Sequence, residues 1–171
     1  MTRTIGVALS IPDPFGPQLD EYRRAAGDPM ARFIPSHVTL LGPTALSDDE
    51  LPAVVEHLRV AATRHAPFDL HLRGSGTFRP VTAVVFVAVA SGISECEMLE
   101  KDIRTGPLDR ERLYPYHPHV TVAHDLDDVT LDRVYARLAH FEARFRVPGF
   151  TLFEHGVDGR WRPRQDFPFP G

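Results

Sequence analysis

His37 and Thr39 flank a single valine in the stretch IPSHVTLLGP, from Ile34 to Pro43. The same trio returns as His119, Val120 and Thr121, eighty-two residues later. In a strand, residues two apart face the same way. Each histidine therefore shares a face with its threonine, and the valines turn to the other side. An imidazole with an ordinary pKa of about 6.5 takes or gives a proton near neutrality. A threonine hydroxyl hydrogen-bonds a non-bridging phosphate oxygen. Two such pairs facing each other across a groove put a base and an acid on opposite sides of phosphorus. In-line displacement of a phosphodiester needs that arrangement and requires no metal. The symmetry of the motifs leaves open which histidine is base and which is acid.

One His-x-Thr carries little information. The weight lies in context, because both copies are followed by an aliphatic residue and both lie in strand-like runs. Residues 4–12 read as an aliphatic strand and 19–27 as a helix stopped by Gly27. Residues 36–42 form the first motif strand. Residues 46–66 read as a helix capped by Ser47, with Val54, Val55, Leu58 and Ala62 on its apolar face. Residues 68–78 alternate as a half-buried strand. The run 82–90 is continuously apolar, as in a central strand, and 94–106 reads as a helix. Residues 118–124 carry the second motif. A helix capped by Thr130 is expected over 130–141, then final strands over 145–156 and 159–169, with Pro148, Pro163 and Pro168 favouring edges or bulges.

The two halves repeat one order: strand, helix, motif strand, helix, strand. The offset is roughly 75 to 83 residues, an internal duplication of elements. With no linker between the halves, the expectation is a single compact α+β domain over 1–171. Its two lobes, roughly 1–80 and 81–171, are free to exchange strands.

The other candidates are weaker. Tyr116 and Phe33 stand just upstream of the two motifs and could stack a nucleoside base; ordinary packing is the plainer reading of each. His117 and His119, with His124 and Asp125, suggest a metal site, but the spacing offers too few convergent ligands. His57, His65 and His140 read as surface or helix-end residues, His71 as solvated and His155 as part of a turn. Arg160, Arg162 and Arg164 alternate around Trp161 and could grip phosphates at the groove mouth; outward-facing residues of a solvated edge strand are the plainer reading. Gly74-Ser75-Gly76 reads as a loop and lacks the helix and Lys-Ser/Thr of a phosphate-binding loop.

The 171 residues carry a net charge of −4, with 43% hydrophobic and 25% charged residues. This is a globular composition. It lacks the basic excess that drives coating of long nucleic acid. No apolar run is long enough to span a bilayer. Ile5 to Ile11 is a short apolar run without a cleavage signature, so it reads as a strand rather than a signal peptide. Cys96 is the only cysteine, which suits a reducing cytoplasm.

The paired HVTL (37–40) and HVTV (119–122) resemble the signature of the 2H phosphoesterase superfamily, also called the LigT-like or 2′-5′ RNA ligase family. The resemblance spans nearly the whole chain. It implies a bilobal duplicated α+β fold in which two antiparallel sheets face a central groove with the helices outside, His37 and His119 as catalytic residues, and Thr39 and Thr121 as phosphate-binding hydroxyls. It implies metal-independent action on 2′,3′-cyclic phosphates, 2′-5′ linkages or ADP-ribose cyclic phosphate. The expectation is therefore a phosphodiesterase for a nucleotide or short RNA end, monomeric and cytoplasmic, without cofactor, metal or membrane. Two alternatives stand beside it: ligation of RNA ends by the same residues, and a nucleotide-binding module without turnover.

Overall fold

A computed structural model describes residues 1–171. In chain order the elements are β1 (Thr2–Ser10), α1 (Phe15–Ala25), β2 (His37–Ser47), α2 (Leu51–Thr63), β3 (Phe68–Thr77), β4 (Val84–Ser91), α3 (Ile93–Ile103), β5 (His119–His124), α4 (Asp128–Arg137), β6 (Glu142–Val147), β7 (Gly149–His155) and β8 (Trp161–Pro168). They build two antiparallel four-stranded sheets, ordered β2-β1-β7-β8 and β5-β4-β3-β6. The α+β architecture expected from the repeated elements is the one observed.

The sheets do not divide near residue 80. β3 pairs with β4 and β6, in the sheet of the second motif. β7 and β8 return to the sheet of the first. The crossing falls at Pro148, between β6 and β7. Proline has no N–H to give a ladder, so the single strand expected over 145–156 is two strands in different sheets. Gly149 follows in close quarters, since a Cβ there would lie 2.3 Å from the Phe167 carbonyl oxygen.

Three local expectations are also corrected. The helix expected from 46 begins at Leu51, because β2 runs on to pair Ser47 with Thr2. Ser47 does not cap it; instead its N–H donates to the Glu50 carboxylate at 2.7 Å. α4 is capped by Asp127, whose carboxylate accepts from the Thr130 N–H at 2.8 Å. Gly74, Ser75 and Gly76 are strand residues within β3.

Each motif strand, β2 and β5, is the outer strand of its sheet. α1, which follows β1, packs against β5, and α3, which follows β4, packs against β2. Each half thus braces the other's motif strand. Val38, Leu40, Val120 and Val122 are buried in one contiguous apolar core. Their partners His37, Thr39, His119 and Thr121 are half-buried on the opposite face. Period-two alternation against a single core fixes which face the motif residues take. No helix is long and apolar enough to cross a membrane.

Candidate active site

The segments leading into the two motifs are anchored in parallel ways. Upstream of β2, Asp20 of α1 accepts from the Ser36 N–H at 2.8 Å and from the Ser36 hydroxyl at 2.6 Å. Arg23 of α1 forms a buried ion pair with Asp28 at 2.7 Å. Upstream of β5, Arg104 beside α3 donates to the carbonyls of Arg110 and Glu111. Buried Glu100 of α3 takes Arg112 at 2.6 Å. Removing one partner of a buried charged pair is far costlier than the pair's net contribution, so these anchors fix where each motif begins.

The two imidazoles are held alike. His37 donates from Nδ1 to the carbonyl of Pro35 at 2.8 Å, and His119 from Nδ1 to the carbonyl of His117 at 2.6 Å. In each case the acceptor lies two residues back. A carbonyl cannot donate, so Nδ1 carries the proton of the neutral ring and Nε2 keeps the lone pair. The Thr39 hydroxyl reaches His37 Nε2 at 3.1 Å.

His119 and Thr39, from different sheets, line one groove of about 810 Å³. Its walls come from residues 41–45 of β2 and from the 110–117 segment. Tyr116 lines it too, and its hydroxyl donates to the Thr39 carbonyl at 2.7 Å. This residue therefore ties the second motif's approach to the first motif strand as well as offering a ring. His37 adjoins the groove through Thr39, and the charge of His119 is one of the effects felt by its ring. Thr121 lies two residues beyond His119 on the same strand face. Phe33 does not join this groove wall. It sits in an adjoining cleft with Asp20, Arg32, Pro35, Arg160 and Trp161.

Aromatic rings enclose both imidazoles. Phe78 and Phe86 meet His119 edge-on at 4.9 and 5.2 Å between centroids. Trp161 lies 4.7 Å from His37 and stacks at 4.1 Å on His155. Burial is the main reason that His37 falls from 6.5 to about 4. The charges of Arg23, His119 and His155 push the same way, and the Pro35 carbonyl opposes them. His119 is also lowered, by burial first and by the charge of His117, against the pull of the His117 carbonyl.

His155 is a neighbour that the sequence reading placed in a turn. It ends β7, its Nε2 is buried without a partner, and burial lowers its pKa. Nothing local in Phe153-Glu154-His155-Gly156 signals this, because the ring gains its role only when β8 brings Trp161 against it. Three other histidines are engaged away from the groove: His57 with the Ile103 carbonyl, His65 with Asp102 and His71 with Glu142. No three His, Cys, Asp or Glu side chains converge in a way that would hold a metal ion. His124 sits beside Asp125 at 3.5 Å.

Gly76 supports the His119 side. A Cβ there would lie 2.5 Å from the Phe86 ring, whose centroid is 5.2 Å from those of His117 and His119. Gly76→Ala is expected to displace that ring and with it the packing of His119. The cost should be about 1–3 kcal/mol of stability, with roughly a tenfold or greater fall in turnover from misplacement of the imidazole. Urea unfolding and steady-state kinetics check this; a destabilised variant with unaltered kcat would mean that the Phe86 contact does not position His119.

Known proteins share this fold. The family model described as the 2′-5′ RNA ligase superfamily matches residues 11–159. A Bacillus mycoides (strain KBAB4) protein provisionally named a phosphoesterase is 30% identical over 142 residues, 82% of each chain. E. coli LigT, in a structure with 3′-AMP, superposes with a TM-score of 0.70 at 19% identity over the full length of both chains. The protein TT0787 of Thermus thermophilus gives 0.67 at 22% identity over 98% of each. The duplicated sheets, the paired motif strands and the span of the match lead to one assignment: the chain belongs to the 2′-5′ RNA ligase superfamily.

Proposed function

We propose that the protein is a metal-independent phosphodiesterase that opens a 2′,3′-cyclic phosphate or cleaves a 2′-5′ linkage in a nucleotide or at an RNA end. The observation that carries this is the matched pair of imidazoles, each held at Nδ1 by a carbonyl two residues back, so that Nε2 keeps the lone pair; that of His37 meets the Thr39 hydroxyl, which phosphate would draw away. His37 is the more strongly depressed ring and stays neutral, which makes it the base. His119 is the acid, and its protonated form is favoured once an anionic phosphate enters the groove. Water attacks phosphorus as its proton passes to His37 Nε2. The bond to the departing ribose oxygen breaks, and that oxygen takes the proton of His119. Thr39 and Thr121 hold the non-bridging oxygens as charge builds on them. The complexes of E. coli LigT with 3′-AMP and with ATP support a nucleotide as the ligand class.

The buried Cys96, whose thiol burial pushes up to about 12, is inert and suits a cytoplasmic setting. The test is turnover of 2′,3′-cyclic nucleotides and 2′-5′ dinucleotides with and without EDTA. Hydrolysis that EDTA leaves unchanged is expected. Joined RNA ends would instead reveal a 5′-hydroxyl as the nucleophile, and tight nucleotide binding without any turnover would refute the enzymatic reading.

A further inference from the structure

The cleft holding Phe33 adjoins His37 and shares no lining residue with the main groove. Pro35, whose carbonyl orients His37, is one wall, and Trp161, whose ring packs on His37, is another. The guanidinium carbons of Arg32 and Arg160 sit 4.7 and 5.3 Å from the centre of the Phe33 ring. Neither cation is closely neutralised. Arg32 has no carboxylate within ion-pair distance, and Arg160 is 3.9 Å from Asp158. Asp158 is already gripped by Arg162 at 2.6 and 3.0 Å, and Asp20, the one carboxylate on the cleft wall, is turned to Ser36 through Oδ1. The cleft is also pre-formed, because the Trp161 N–H donates to the Phe33 carbonyl at 3.0 Å and the Arg23–Asp28 pair anchors the chain before it. Two weakly paired guanidiniums over one aromatic ring are unexpected in a chain whose net charge is −4. They suit a base stacked on an aromatic face with its phosphate on the arginines.

We propose that this cleft, which adjoins His37 through Pro35 and Trp161, binds the next nucleotide of the strand. The substrate is then the end of an oligonucleotide rather than a free mononucleotide. The inference rests on the phosphodiesterase reading above. The net acidity of the chain limits the contact to one or two phosphates, so the strand beyond them is not followed.

The experiment compares kcat/KM for a 2′,3′-cyclic mononucleotide and for a trinucleotide ending in a 2′,3′-cyclic phosphate, over a salt series. The wild-type protein is expected to prefer the trinucleotide by roughly tenfold or more. The dependence of log kcat/KM on log salt should be steeper for the trinucleotide by roughly 0.7 per contacted phosphate. Arg32→Ala/Arg160→Ala should erase the preference and the extra salt slope. Phe33→Leu, which keeps an apolar side chain under the arginines, should erase most of the preference alone. Arg164→Ala, whose arginine is paired with Glu154 outside the cleft, should keep both. Equal kcat/KM on the two substrates, or an unchanged preference in the double variant, would overturn the proposal. Calorimetric binding of a trinucleotide 3′-phosphate gives a readout independent of turnover. If the wild-type protein hydrolyses neither substrate but binds this trinucleotide, and the double variant weakens binding tenfold or more, the cleft stands and the catalytic reading falls.

Discussion

Replacing His119 with alanine is expected to lower kcat/KM by about 10²–10⁴-fold, the range for loss of a positioned general acid. His37→Ala should cost a similar factor. The two losses should not multiply, because residues acting as one catalytic unit are strongly non-additive. The pH profile separates their roles. The base limb should lie near 4, where His37 loses its proton, and the acid limb below the ordinary histidine value, because burial lowers His119. The free protein should therefore show a bell in kcat/KM centred in the mildly acidic range. His119→Ala should abolish the alkaline limb and leave the acidic one. Steady-state rates from about pH 3.5 to about pH 8, on wild type and both variants, check this. An alkaline limb that survives in His119→Ala would reassign the acid, and full activity in the double variant would remove both histidines from the mechanism.

The same burial has a consequence for stability, with the second largest effect. In the unfolded chain His37 protonates near 6.5, but in the folded protein it does so only near 4. Between those values the unfolded state binds more protons, so stability rises with pH and is lost as pH falls. The displacement from 6.5 to about 4 corresponds to about 3 kcal/mol at the acid end of the window. His119 and His155, both lowered, add loss in the same direction. Urea unfolding at about pH 7 and about pH 4.5 should show the fall, and His37→Asn should remove a large part of it. Equal stability at the two pH values would mean that His37 titrates normally in the folded chain. The proposed base thus lowers acid stability within the pH range where the enzyme is expected to be most active.

Where the motif residues point was legible because strand alternation is local. Val38 and Leu40 must be buried, so His37 and Thr39 must take the other face, and the same holds around His119. The repeated order of elements was legible for the same reason, since periodicity and stop residues mark strands and helices one at a time. The position of Tyr116 at the groove followed from its adjacency to the motif. Its bond to the Thr39 carbonyl did not, because that contact joins residues seventy-seven apart.

Sheet membership was not legible. Nothing in 68–77 marks β3 for the second sheet, and nothing beyond Pro148 shows that the chain crosses back to the first. Strand pairing is decided by which edges remain open once the whole chain has packed. Electrostatics depended on this as well. The sequence supplied two equivalent His-x-Thr pairs and hence the class of chemistry proposed for them. Only the tertiary structure made them unequal, by bringing Arg23, His155 and Trp161 to His37 and Phe78, Phe86 and His117 to His119. A pKa depends on burial and on charges within a few ångströms, and those neighbours are assembled by long-range folding.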